Sequence, residues 1–258
     1  MIYDHKGLKV IICNHWLPRQ SIFDETCVLH AINNSKIMDQ FLIDLKTNNL
    51  KLENNIEKLK KELNKPSVLK KNINILSSFV GKKHGLFVND CLQLLDKYIP
   101  HSRFLSTFKK NENKKRVYYI KEIKYLNDEK KKFHINKINL YKDTNNLKNG
   151  DHLPHVLLYT DPVFSYVHLI GLFIYKENDQ IYVIILDSLR GLFKDHLFTN
   201  LILSNILGEK FVLKKHYFSM FNNSGKCLIK DKIFLITSEI IVPLLIIYII
   251  FKICKLKM

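Results

Sequence analysis

Apolar positions recur along this chain with two periods, and the change from one to the other marks out its elements. From 35 to 65 the spacing is helical. Ile37, Phe41 and Leu45 fall four apart, Asn48 and Asn49 interrupt, and Leu52, Ile56, Leu59 and Leu63 resume the stripe before Pro66. The pattern predicts two amphipathic helices, a hairpin arm over 35–65 that is polar outside and projects or covers only a small core. Val28, Ala31 and Ile32 form the stripe of a helix that opens at Cys27. Cys91, Leu92, Leu94 and Leu95 form that of another, stopped by Pro100, with Cys91 read as a core residue. Later the period shortens: 153–159, 167–175 and 181–186 are apolar runs of strand length. The polar turn 176–180 between the last two predicts a β-hairpin. A short run at 8–13 reads as an edge strand, 197–207 as a helix ended by Gly208, and 211–213 as a closing strand.

Two stretches depart from this scheme. Residues 109–150 are rich in Lys, Asn and Asp, with strand-like islands only at 117–120 and 135–141, and read as an insertion of weak structure. Residues 233–251 are almost continuously apolar after a polar linker at 221–232. That length predicts a transmembrane helix, with a core helix as the alternative. Glu239 and Pro243 interrupt the run. Lys226, Lys230 and Lys232 on one side balance Lys252, Lys255 and Lys257 on the other, so flanking charge does not decide orientation. With no apolar N-terminal leader, the expected arrangement is a tail anchor with the body (1–220) facing the cytosol.

Charge and cysteine content narrow the picture. The net charge of +17 invites a nucleic-acid partner. Its source is mainly Lys in polar runs, without the interleaved aromatics of an RNA-binding module, and it reads as solvated surface. No nucleic-acid partner is expected. The five cysteines are scattered, with no CxxC or Cys/His spacing of a zinc site, which predicts free thiols, no metal and no cofactor.

Candidate chemistry collects at three places. Cys27 opens a helix, where the dipole and free N–H groups favour a thiolate; the alternative is a small buried hydrophobe. His168 begins one strand of the predicted hairpin and Asp187 ends the other, so antiparallel pairing brings them to one edge of the sheet. A carboxylate there fixes the tautomer of the imidazole and stabilises its cation. Gln20, in the loop before Cys27, is of the type that donates to an oxyanion, though a lone loop Gln is also an ordinary solvated residue. His30, one turn from Cys27, is a rival base that a rigid helix points away along its axis.

The run Cys27-Val28-Leu29-His30-Ala31-Ile32-Asn33-Asn34 resembles the Josephin deubiquitinase signature, a catalytic Cys followed by x-x-His-x-x-Asn-Asn. Residues 167–189 resemble the catalytic His strand of that family and its following strand ending in Asn/Asp-Ser-Leu. The likeness covers roughly 1–218 and departs from the pattern at Leu169, in the distance of Gln20 from Cys27, in the long 109–150 stretch and in the tail. It implies an α+β, papain-like (Josephin-type) fold, with a helical subdomain packed on an antiparallel sheet. It also implies a cysteine-type deubiquitinase with Cys27 as nucleophile, His168 as base and acid, Asp187 orienting it and Gln20 as oxyanion donor. Ubiquitin or a ubiquitinated protein is then the partner, and the C-terminal helix joins the enzyme to a membrane. An inactive, membrane-tethered binding module, or a papain-like peptidase with another substrate, remains open.

Overall fold

Strands that must be buried on both faces are written as unbroken apolar runs rather than as alternating ones. The middle of this molecule follows that rule. The computed structural model describes residues 2–13, 16–17, 27–65, 70, 74, 88–125, 133–160, 167–188 and 195–213. They belong to a compact unit, Met1–Phe211, save for the first two residues of a second unit, Val212–Met258. The strands are β1 (Ile2–His5), β2 (Leu8–Ile12), β3 (Arg103–Glu112), β4 (Lys115–Tyr125), β5 (Phe133–Lys137), β6 (His152–Thr160), β7 (Val167–Glu177), β8 (Gln180–Leu186) and β9 (Phe211–Val212). The first eight form one sheet in the order β1-β2-β8-β7-β6-β3-β4-β5. The central strand β7 is buried from His168 to Tyr175.

The sheet is mixed, not antiparallel. β2 pairs with β8, and β3 with β6, in parallel, while the remaining pairs along this order are antiparallel. Parallel partners need long crossovers, and strand periodicity carries no sign of which distant strand lies alongside. The stretch read as weakly structured contains most of a strand pair. β3 and β4 run against each other from Phe104↔Ile123 to Glu112↔Lys115, joined by Asn113 and Lys114 with φ of 48° and 62°. Such a two-residue left-handed turn matches the twist of the strands it joins. Lys109, Lys110, Lys114 and Lys115 stand on the exposed end of this hairpin, which hides the alternation from a composition reading.

The helices with bounds among the described residues are α1 (Cys27–Thr47), α2 (Leu52–Leu63), α3 (Val88–Tyr98), α4 (Leu140–Asn145) and α5 (Asp195–Ile206). α1 is a single helix that continues through the expected start of the arm at 35. Residues 28–35 are buried on every side, because the helix lies across the sheet. Its second half and α2 build a core with β2, β7 and β8: Met38, Leu42 and Leu45 meet Leu52, Leu59 and Leu63 over Phe173, Tyr175 and Ile184. Of the two expectations for the arm, projecting or covering a core, the helices take the second. The N-cap residue Lys51 makes no side-chain cap bond to α2; the Leu52 N–H donates instead to Glu177 Oε1 of β7 at 2.9 Å, which pins the helix start to the sheet. The first half of α1 joins α3 in a second core, where Val28, Ala31 and Ile32 pack with Leu94, Leu95, Phe104, Val156 and Leu169.

No helix among the described residues is long and apolar enough to cross a membrane. The longest, α1, carries Lys36, Asp39, Asp44 and Lys46, and charged residues of this kind each cost roughly 3 kcal/mol at the centre of a membrane helix. The expected transmembrane segment, 233–251, lies outside the described residues. The fold class is accordingly corrected to a mixed α+β domain of helices and one sheet, with no membrane-spanning helix among the described residues. The membrane localisation and membrane partner that depended on that helix are withdrawn.

Candidate active site

Gly171 sets how closely α1 approaches β7. A Cβ placed there would meet Ser35 Oγ at 2.5 Å and Leu186 at 3.0 Å, so the helix rides on the strand where the strand has no side chain. From this crossing the two elements run in the same direction: Leu42 and Leu45 lie over Phe173 and Tyr175, and Val28 and Ile32 lie over Leu169. Eight helical residues back from Ser35 is about 12 Å. Three strand residues back from Gly171 is about 10 Å. The first residue of α1, Cys27, therefore comes to the end of the strand that holds His168.

The β7–β8 hairpin supplies the acid. Gly171 pairs with Leu186, and extending that register puts Asp187 opposite Ile170, a diagonal neighbour of His168 on one face. The two side chains meet there: His168 Nε2 and Asp187 Oδ1 are 2.7 Å apart, with His168 4 % and Asp187 6 % exposed. With Nε2 engaged by the carboxylate, Nδ1 is the ring nitrogen left for the sulfur. Burial disfavours the imidazolium, but hydrogen bonds to Asp187 and to the Cys27 side chain outweigh it, and the negative charge of both adds to this. The pKa of His168 rises to about 9.

The three described cysteines differ in access. Cys13 and Cys91 are buried, whereas Cys27 is partly exposed. Burial, with smaller effects from Cys27 and Asp90, pushes the Cys91 thiol up to about 12, and burial also pushes Cys13 up. Of these three thiols only Cys27 combines solvent access with an imidazole. His30 is buried within α1. Asn33 and Asn34, which close the signature run, are buried too, and Asn33 Nδ2 donates to Asn34 Oδ1 at 3.4 Å. Gln20 lies outside the described residues.

A second cluster had no sequence signal. Asp39 lies on α1, His101 in the turn after α3, and His152 at the first position of β6. His101 Nε2 and His152 Nε2 approach the same carboxylate oxygen, Asp39 Oδ1, at 2.9 and 2.8 Å. These residues are scattered over more than a hundred positions, so no local spacing motif could have joined them.

Comparison with family models, with curated proteins and with solved structures finds no match. The expectation of a membrane-anchored, ubiquitin-cleaving protease is corrected on two grounds. No membrane-spanning helix occurs among the described residues, and no observation points to ubiquitin. What the described residues show is narrower than a protease triad: a buried His–Asp pair, and a partly exposed thiol among the influences that raise the pKa of that imidazole.

Proposed function

We propose that this protein is a cysteine-dependent hydrolase of amide-type acyl bonds, with Cys27 as nucleophile, His168 as its proton partner and Asp187 as the residue that positions His168. The 2.7 Å contact of His168 Nε2 with Asp187 Oδ1, on an imidazole that also bonds the Cys27 side chain, carries this reading. A carboxylate on Nε2 leaves Nδ1 to exchange a proton with sulfur and stabilises the cation that forms. The thiolate attacks the acyl carbonyl. The tetrahedral adduct collapses as His168 hands its proton to the leaving amine, forming an acyl thioester on Cys27. Water, deprotonated by the now neutral His168, releases the acid and restores the thiol. Cys27 opens α1, and the first turn of a helix is where backbone N–H groups can stabilise the negative charge that develops on a carbonyl oxygen.

Mechanism can be tested before substrate. Iodoacetamide labelling of Cys27, followed by peptide mass spectrometry, measures thiolate reactivity at one residue. His168→Ala is expected to slow it at pH 7 by about 10-fold or more, since the ion-pair partner is gone. Equal rates in His168→Ala and the parent would overturn the assignment. A panel of peptide and isopeptide coumarin amides then reads turnover. Cleavage that survives Cys27→Ala would assign the activity to another residue.

A further inference from the structure

The Asp39 cluster has the composition and convergence of a metal site. Two imidazoles, each offering Nε2, meet one carboxylate, and the three donor atoms lie within 4.8 Å of one another. A structural His–Asp contact needs one imidazole; here a second arrives from a different element. His101 is presented by a turn in which Pro100 takes the second position and the Ser102 N–H donates to the Ile99 carbonyl at 2.9 Å. His152 is fixed by stacking on Phe173, with centroids 6.1 Å apart and planes 29° apart, and its ring meets that of His101 edge-on. The side chains of Asp39 and His152 are 11 % and 10 % exposed and that of His101 is 50 % exposed, so the cluster is walled on the core side and open to solvent on the other.

We propose that Asp39, His101 and His152 bind a divalent transition-metal ion of the Zn2+ class. Two nitrogens and one carboxylate oxygen are the ligand types such an ion takes, at about 2.0–2.2 Å each. A tetrahedral ion spreads neighbouring donors to about 3.3 Å, so the present 2.8 and 2.9 Å contacts open by about half an ångström on binding. Water completes the shell from the open side at His101. The ion ties the middle of α1 to β6 and to the turn after α3, three elements with no covalent link between them here. It is separate from the thiol: Asp39 lies twelve residues along α1 from Cys27, about 18 Å of helix rise.

The test uses the full chain carrying Cys27→Ser, so that metal held by the thiol and His168 cannot contribute and the result is independent of the proposed hydrolase. Zn2+ titration against a chelating dye is expected to show one saturable site. Co2+ is expected to give the visible absorption of a tetrahedral ion. Adding His101→Ala, at a half-exposed side chain, is expected to weaken Zn2+ at least about 30-fold, and Asp39→Asn similarly. Zn2+ at a hundred times its Kd is expected to raise the unfolding midpoint by about 5–10 °C, and not to do so in His101→Ala. The absence of a saturable site in the Cys27→Ser protein, or affinity within about threefold of it in His101→Ala, overturns the proposal.

Discussion

Two histidine–aspartate clusters sit along α1, and they differ in how many imidazoles share one carboxylate. At the start of the helix Asp187 meets the ring of His168, the pair is buried, and the Cys27 side chain also acts on that imidazole. At its middle Asp39 serves two rings and one side is open. Burial of Asp39 works against its charge, yet the hydrogen bonds and charges of His152 and His101 prevail and hold the carboxyl below its usual range. The same parts thus favour different chemistry. One acid on one sealed imidazole makes a stable cation that can trade a proton. One acid between two imidazoles gathers electron-pair donors around a point.

The largest effect that sharpens this contrast is chemical. At pH 7, Cys91, pushed up to about 12 and buried, is expected to take iodoacetamide at least about 1000-fold more slowly than Cys27. Residue-resolved mass spectrometry reads both in one experiment, and comparable rates would remove what distinguishes the first cluster. Next comes Asp187→Ala, which strands a buried imidazole. Breaking such a pair costs about 3–5 kcal/mol, read by urea unfolding at pH 7, with Asp187→Asn losing less because it keeps an acceptor.

pH gives a third and slightly smaller effect, through two buried histidines on neighbouring strands. His168, raised to about 9, contributes stability that is fully present below about pH 6.5, the unfolded value, and lost as pH rises to 9. His155 is fully buried. Burial first, and then Arg103, lower its pKa to about 4. Its neutral form is the folded one, so its stability holds above pH 6.5 and is lost as pH falls toward 4. Each shift corresponds to roughly 3 kcal/mol. Unfolding free energy between pH 4 and 9.5 is therefore expected to peak near 6.5, and Asp187→Asn is expected to flatten the alkaline side.

Gly171→Ala should cost about 1–3 kcal/mol, since its methyl group must displace Ser35 and Leu186. It lifts α1 between the two clusters, so Cys27 labelling and Zn2+ affinity should fall together; a change in only one would show that the helix does not couple them. The smallest effect is His101→Ala without metal, below about 1 kcal/mol in thermal unfolding, because its bond to Asp39 is half exposed.

Local patterning is legible in the residues themselves. The hairpin of β7 and β8 follows from two apolar runs around a polar turn, and its register brings Asp187 to His168 without reference to the rest of the chain. The helical stripe of α2 and the start of α1 at Cys27 are local in the same way. The 109–150 stretch misleads because lysines at the exposed end of a hairpin resemble a coil by composition. The parallel pairings of β2 with β8 and β3 with β6 leave no trace in periodicity, because both kinds of pairing use the same alternation.

What the sequence by itself determined are features decided within about twenty residues: the apolar stripes of α1 and α2, and which hairpin carries the imidazole and its acid. Tertiary structure decided what must be brought from afar. The seating of Ser35 on Gly171 sends Cys27 toward His168, and the crossing of α1, β6 and the turn at Pro100 gathers Asp39, His101 and His152. Periodicity records which face of an element is buried, but not which distant element buries it.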